Sequence, residues 1–191
     1  MSRNGFRLPS AALVLLAVAC SSSPPTRFYT LSDTAPEGTV TAEVGPVSVA
    51  GVNIPGELDR PEIVLRTSPN RLHVSGLDRW AAPLDQTIRR VLSDDIARRL
   101  RHPAAGPQRA VAVDIHEFYG DAACNVTLRT VWTTRSVGNA AAQSFTEEIQ
   151  VPAAGACPDA LAAAMSSALG QLSDRILAGL ARLPPPTVAT K

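Results

Sequence analysis

Three cysteines are the side chains best placed for covalent chemistry, and their positions give them different work. Cys20 closes an apolar run at residues 8–20 that is preceded by Arg3 and Arg7. The run is too short to span a bilayer, which takes about 20 apolar residues, and it exits through the small residues Ala17, Val18 and Ala19. A basic start, a short apolar middle and a small-residue exit predict an export signal over residues 1–19 that is removed from the mature chain. Cys124 and Cys157 then belong to an exported protein, in a compartment where disulfides persist. They are expected to be joined, tying a strand start to a helix start; two buried free thiols are the alternative. A bridge across 33 positions is worth roughly 3–4 kcal/mol in the chain-entropy model.

No other residues assemble a reactive set. His73, His102 and His116 are scattered without metal-ligand spacing. On a regular strand His116 and Glu117 would point to opposite faces. There is no G-x-S-x-G elbow and no phosphate loop. The expectation is therefore a protein with no catalytic residues, no metal and no cofactor beyond a covalent lipid on Cys20.

That lipid is implied by a resemblance. Ala17-Val18-Ala19-Cys20 resembles a bacterial lipobox, in which the cysteine receives a diacylglycerol on its sulfur and becomes the acylated first residue, carrying palmitate-type chains. Each buried methylene contributes about 0.8 kcal/mol, and two chains suffice for stable anchoring. Residues 20–26 then form a lipidated N-terminus with a flexible leash, Ser21-Ser22-Ser23-Pro24-Pro25. In such lipoproteins of two-membrane bacteria an aspartate after the cysteine retains the protein at the inner membrane. Position 21 is serine, so the resemblance implies the outer membrane, facing the periplasm.

The 172 residues after the signal suffice for one core. The whole chain has 18 Lys+Arg against 17 Asp+Glu; losing Arg3 and Arg7 leaves 16 against 17, a formal net charge of −1. That balance argues against a nucleic-acid partner and gives no sign of electrostatic adhesion to anionic lipid. Residues 27–31 read as a short strand, and 44–52 as an irregular or edge strand, because Pro46 cannot donate to a ladder. Residues 63–66 and 71–75 read as a hairpin around Ser68-Pro69-Asn70. Pro83 opens a helix over 84–100 whose apolar face is Leu84, Ile88, Val91, Leu92, Ile96 and Leu100. Its arginine-rich opposite face reads as solvated, with i,i+4 pairs at Asp85–Arg89 and Asp94–Arg98; a headgroup or partner site is the alternative. Three alternating strands follow, at 109–119, 124–134 and 142–151, with turns at Gly120-Asp121 and Gly138-Asn139. They form an antiparallel meander with one apolar face. Pro158 opens a last helix with the stripe Leu161, Met165, Ala168, Leu172, Ile176 and Leu180. The expected fold class is α+β, an antiparallel sheet with two long helices packed on one face. The single domain covers 27–183, with a disordered tail at 184–191.

Tyr29-Thr30-Leu31, Gly45-Pro46-Val47, Leu58-Asp59-Arg60-Pro61-Glu62-Ile63-Val64 and Arg79-Trp80-Ala81-Ala82-Pro83-Leu84 follow one another in this order after the lipobox. In that order they resemble the PqiC/YmbA family, the ABC-type transport auxiliary lipoproteins. Glu57 stands where the family often has tyrosine, and Ala82 where it often has glutamate. The resemblance implies a non-enzymatic, outer-membrane-anchored docking subunit of an intermembrane lipid transport system. Its partner would be a periplasm-spanning protein with MCE domains, and homo-oligomers are open to it. Leu58, Asp59, Arg60, Pro61, Arg79 and Trp80 are the candidate partner-binding residues; the alternative is that Trp80 fills core and the charges order the loop. A second function of a different class is a carrier domain that holds acyl chains between helices and sheet.

Overall fold

The computed structural model describes residues 24–34, 44–100, 102–106, 108–136 and 142–184. The signal, Cys20, the leash before Pro24, the turn at Gly138 and Asn139, and residues 185–191 lie outside the described residues.

Among the described residues, seven strands and two helices follow in the order β1 (Arg27–Tyr29), β2 (Val47–Asn53), β3 (Glu62–Ser68), β4 (Arg71–Trp80), α1 (Leu84–Arg99), β5 (Arg109–Gly120), β6 (Val126–Ser136), β7 (Gln143–Val151) and α2 (Asp159–Ala181). The class is α+β, with both helices against one face of a single open sheet. The sheet order is β1-β4-β3-β5-β6-β7, and β2 also pairs with β5.

The meander β5-β6-β7 is antiparallel, as the alternation predicts. The sheet as a whole is mixed: β1 runs parallel to β4, β2 to β5, and β3 touches β5 in parallel through Leu65 and Gly120. Residue patterning reports which face of a strand is buried, but not the direction of its neighbour, so the parallel pairs left no trace in it. Pro46 sits just before β2 and takes part through its carbonyl, which accepts from the Arg109 N–H at 2.8 Å. That is the one role in a ladder that proline keeps.

Val111, Val113 and Ile115 of β5 are buried, as are Val126, Leu128 and Trp132 of β6. The register then shifts between Ile115 and Glu117. This bulge overrides strict alternation: Glu117 returns to the open face that carries exposed His116 and Asp114, and pairs there with Arg66 and Arg129, each at 3.7 Å.

All six apolar positions expected on α1 are buried, and so are the six of the α2 stripe. On the polar face the pairing differs from expectation. Asp94 pairs with Arg90 at 3.4 Å, and Arg98 reaches Asp33 at 2.9 Å. Two charged residues fall on the buried face. Arg99 and Asp95 are 3% and 0% exposed by side chain and lie 3.2 Å apart. Arg99 also bonds Asp174 of α2 at 2.5 and 3.1 Å and the Gly170 carbonyl at 3.0 Å. Asp95 accepts the Thr34 N–H at 3.0 Å. Burial pulls the Arg99 guanidinium down, but the Asp174 and Asp95 carboxylates outweigh it and hold it above the ordinary arginine value.

Arg109, also buried, donates to the Leu180 and Pro184 carbonyls at 2.8 Å each. It thus sets a cation against the C-terminal end of α2, which the helix dipole favours.

Gly179 lets α2 approach the sheet closely. A Cβ there would lie 2.7 Å from the indole of Trp132, which is fully buried and stacked on Phe145 at 4.1 Å. Gly179→Ala should therefore destabilise by roughly 1–3 kcal/mol through overpacking, even though alanine is the better helix former. Urea denaturation of the variant checks this.

Candidate functional site

The candidate partner-binding residues come together at the end of β4 where α1 begins. The β3–β4 hairpin brings Arg79 opposite Glu62, and the Trp80 N–H donates to the Pro61 carbonyl at 2.7 Å. Pro83 precedes α1 and its carbonyl accepts both the N–H and the hydroxyl of Thr87 at 3.0 Å. The chain therefore turns sharply from strand to helix. Between these walls lies a cleft of about 330 Å³, lined by Asp59, Arg60, Pro61, Trp80, Ala81, Ala82, Pro83 and Leu84.

Its floor and rim differ. Leu58, Trp80 and Leu84 are buried, so they hold the site rather than present it. Asp59, Arg60, Pro61, Ala81, Ala82 and Pro83 are exposed. Trp80 thus does fill core, as the alternative reading has it, while also forming part of the cleft wall.

Charge around the cleft is organised by Glu62, which the sequence reading did not single out. Arg60 donates to it at 3.2 Å and Arg79 lies 3.3 Å from it. Arg60, chiefly, holds the Glu62 carboxyl below its ordinary range, with Arg79 adding to the effect. Strand alternation could not have signalled this pair, because Arg60 lies in the bend before β3 and only Glu62 is on the strand. Ala82 is exposed on the rim.

The loop that carries Leu58 and Asp59 is pinned from behind. Tyr119 of β5 donates its hydroxyl to Glu57 at 2.7 Å, and the Arg66 guanidinium sits 4.6 Å over the Tyr119 ring. The Tyr119 hydrogen bond holds the Glu57 carboxyl below its ordinary value, while burial and Glu57 push the phenol up. A depressed carboxylate contributes stability above its unfolded pKa and loses it as pH falls through the folded one. Tyr119→Phe is therefore expected to raise the Glu57 pKa toward its ordinary value and to cost about 1 kcal/mol at neutral pH. The difference from wild type should vanish once acid protonates Glu57. Carboxyl-carbon NMR titration and pH-resolved denaturation check both.

Cys124 and Cys157 are bonded, with Cα atoms 5.9 Å apart. They join the entry of β6 to the entry of α2. Cys124 is buried and lies in a left-handed turn at φ 63°. Asp121 closes that turn by accepting the Ala123 and Asn125 N–H groups at 2.8 and 2.9 Å.

His73, His102 and His116 are all exposed and do not converge. Among the described residues no group of three or more His, Cys, Asp and Glu side chains could hold a metal ion. No helix there is long and apolar enough to cross a membrane.

An α+β domain with a buried framework and a solvent-facing cleft is the setting for comparison with known proteins. Residues 29–177 match the family of the ABC-type transport auxiliary lipoprotein component, and the chain belongs to that family. It is a family of transport auxiliaries, not of enzymes. The chain is similar in structure to an uncharacterized protein, with TM-score 0.68, 19% identity, and coverage of 82% of this chain and 99% of that one. It is also similar to a Xanthomonas campestris protein of the family DUF330, with TM-score 0.64, 21% identity, and coverage of 79% and 92%. At these identities the two structures speak for the fold alone. Among curated proteins no significant match is found.

Proposed function

We propose that this protein is the outer-membrane-anchored periplasmic lipoprotein of an MCE-type intermembrane lipid transport system. In this reading it is a non-enzymatic docking subunit. The observation that carries the proposal is the family match over residues 29–177. The signal over residues 1–19, with Cys20 after it and then serine rather than aspartate, supports the outer-membrane address. The cleft at residues 59–61 and 80–84 supports a contact surface for the MCE-domain partner: its exposed rim joins the ends of β3, β4 and α1, with Arg60 and Arg79 paired to Glu62 beside it. The interior weighs toward docking over lipid carriage. The layer between helices and sheet is filled by large buried side chains, among them Trp132, Phe118, Ile115, Leu128, Leu169 and Leu172.

Affinity capture of the full-length lipoprotein from detergent-solubilised membranes, read by mass spectrometry, tests this. Wild type should retain an MCE-domain protein. Ala82→Trp, which plugs the cleft from an exposed position, should lose it without a change in Tm. Stoichiometric phospholipid with no MCE protein would instead favour the carrier reading.

A further inference from the structure

The large hydrophobic side chains left exposed among the described residues are Phe28, Leu72, Val74 and Leu77, at 66%, 38%, 37% and 36%. All four lie on β1 and β4. This is also an open edge of the sheet. β1 pairs only with Asp78, Arg79 and Trp80 of β4. Residues 71–77 of β4 therefore have β3 on one side and no strand on the other, among the described residues.

Chain direction and length say what meets this edge. β1 runs parallel to β4, so the chain enters β1 from the side of the β3–β4 turn. β3 takes six steps from Glu62, opposite Arg79, to Ser68, opposite Arg71. That is about 20 Å at 3.3 Å per residue. From Cys20 to Arg27 there are seven steps, about 24 Å at full stretch. The tether is thus about as long as the hairpin is tall, and any shortening of it brings the turn at Pro69 and Asn70 down to the level of Cys20.

We propose that the β3–β4 hairpin is a membrane-contact edge, with Leu72 and Val74 resting on the phospholipid leaflet that holds the Cys20 lipid. This rests on the anchored-lipoprotein reading above. Arg71 is exposed beside Leu72 and is long enough to set its guanidinium against phosphate while its stem stays apolar. The contact is interfacial, about 5–10 Å deep, because an unpaired strand edge does not enter hydrocarbon. A second copy of the chain is the weaker occupant. Between Glu62 and Val64 the partner on β4 jumps from Arg79 to Val74. Ser75 and Asp78 close the resulting kink with hydrogen bonds of 2.7 and 3.1 Å. A bulged edge of this kind opposes strand addition. With the turn on the bilayer, the cleft at the other end of β4 opens away from it.

The test uses the full lipidated chain carrying Leu72→Cys or Ser144→Cys, each labelled with a nitrobenzoxadiazole dye and reconstituted into phosphatidylethanolamine/phosphatidylglycerol vesicles. Ser144 is exposed on β7, at the opposite sheet edge. The label at 72 should brighten, shift to the blue, and be quenched several-fold more by shallow brominated lipid than the label at 144. Equal and weak quenching at both sites, with protein still held on the vesicles, would overturn the hairpin contact and leave the anchoring intact. Release of the protein by washing would overturn both. An equal blue shift at 72 in a Cys20→Ala chain without vesicles would overturn the proposal in favour of contact between copies.

Discussion

Arg99→Ala should cost about 3–5 kcal/mol of stability, the range for breaking a buried ion pair by removing one partner. At about 2–4 °C per kcal/mol for a domain of this size, that is a fall in Tm on the order of 10 °C. The size of the effect follows from what stays behind. Asp95 is fully buried at 0% exposure, and Arg99 supplies its salt bridge at 3.2 Å. The same guanidinium binds Asp174 and the Gly170 carbonyl on α2, so its loss also unfastens α1 from α2. Asp174 is 55% exposed and can turn to water, so the cost concentrates on Asp95. The double variant Asp95→Leu with Arg99→Met should recover most of the loss, since an apolar pair of similar volume is often neutral or better than a buried salt bridge. Thermal denaturation followed by circular dichroism reads both. An Arg99→Ala protein with wild-type Tm would mean that the other partners of Asp95, the Thr34 N–H among them, hold its charge without the guanidinium.

The second large effect is expected at Cys124 and Cys157. Replacing both by serine reopens a loop of 33 positions and should cost roughly 3–4 kcal/mol by the chain-entropy model. The native turn adds to this. Cys124 holds a left-handed backbone at φ 63°, a conformation that disfavours non-glycine residues. Without the cross-link it is kept only by the Asp121 hydrogen bonds and by packing. Cys124→Gly with Cys157→Ser should therefore be more stable than the double serine variant, because glycine accepts that backbone freely. Urea titrations in oxidising and reducing buffer check the order. Equal midpoints for wild type with and without reductant would rule out a stabilising bridge.

These two sites show how far the residue pattern carries. The buried face of α1 was readable because Leu84, Ile88, Val91, Leu92, Ile96 and Leu100 repeat at helical spacing, and all six are buried. Asp95 and Arg99 fall on that same face, yet their charge made them look solvent-bound. Only Asp174, far along the chain, explains why a guanidinium can stay there. The strands of the meander were readable from alternation. The parallel placements of β1, β2 and β3 were not, because they depend on neighbours distant in sequence. The bulge at His116 broke the alternation that placed His116 and Glu117 on opposite faces.

The cleft was legible in a different way. Leu58, Asp59, Arg60, Pro61, Arg79 and Trp80 stood out as short motifs around prolines, and the β3–β4 hairpin brings them together. Which of them face outward was not legible. Leu58 and Trp80 are buried supports, whereas Glu62 organises both arginines. The acylation expected at Cys20 is the reverse case: it rests on residues 8–20 alone, because signal recognition acts on local sequence, not on a fold.

In the proposed reading, attachment to the bilayer decides which end of the sheet faces lipid and which end carries the cleft toward a partner. Metabolic labelling with a palmitate analogue, followed by separation of the cell envelope, tests it most directly. Label is expected on the mature wild-type protein in the outer-membrane fraction, and none on a Cys20→Ala chain, which should appear in the soluble periplasmic extract. An unlabelled wild-type protein that washes out with that soluble extract would contradict it.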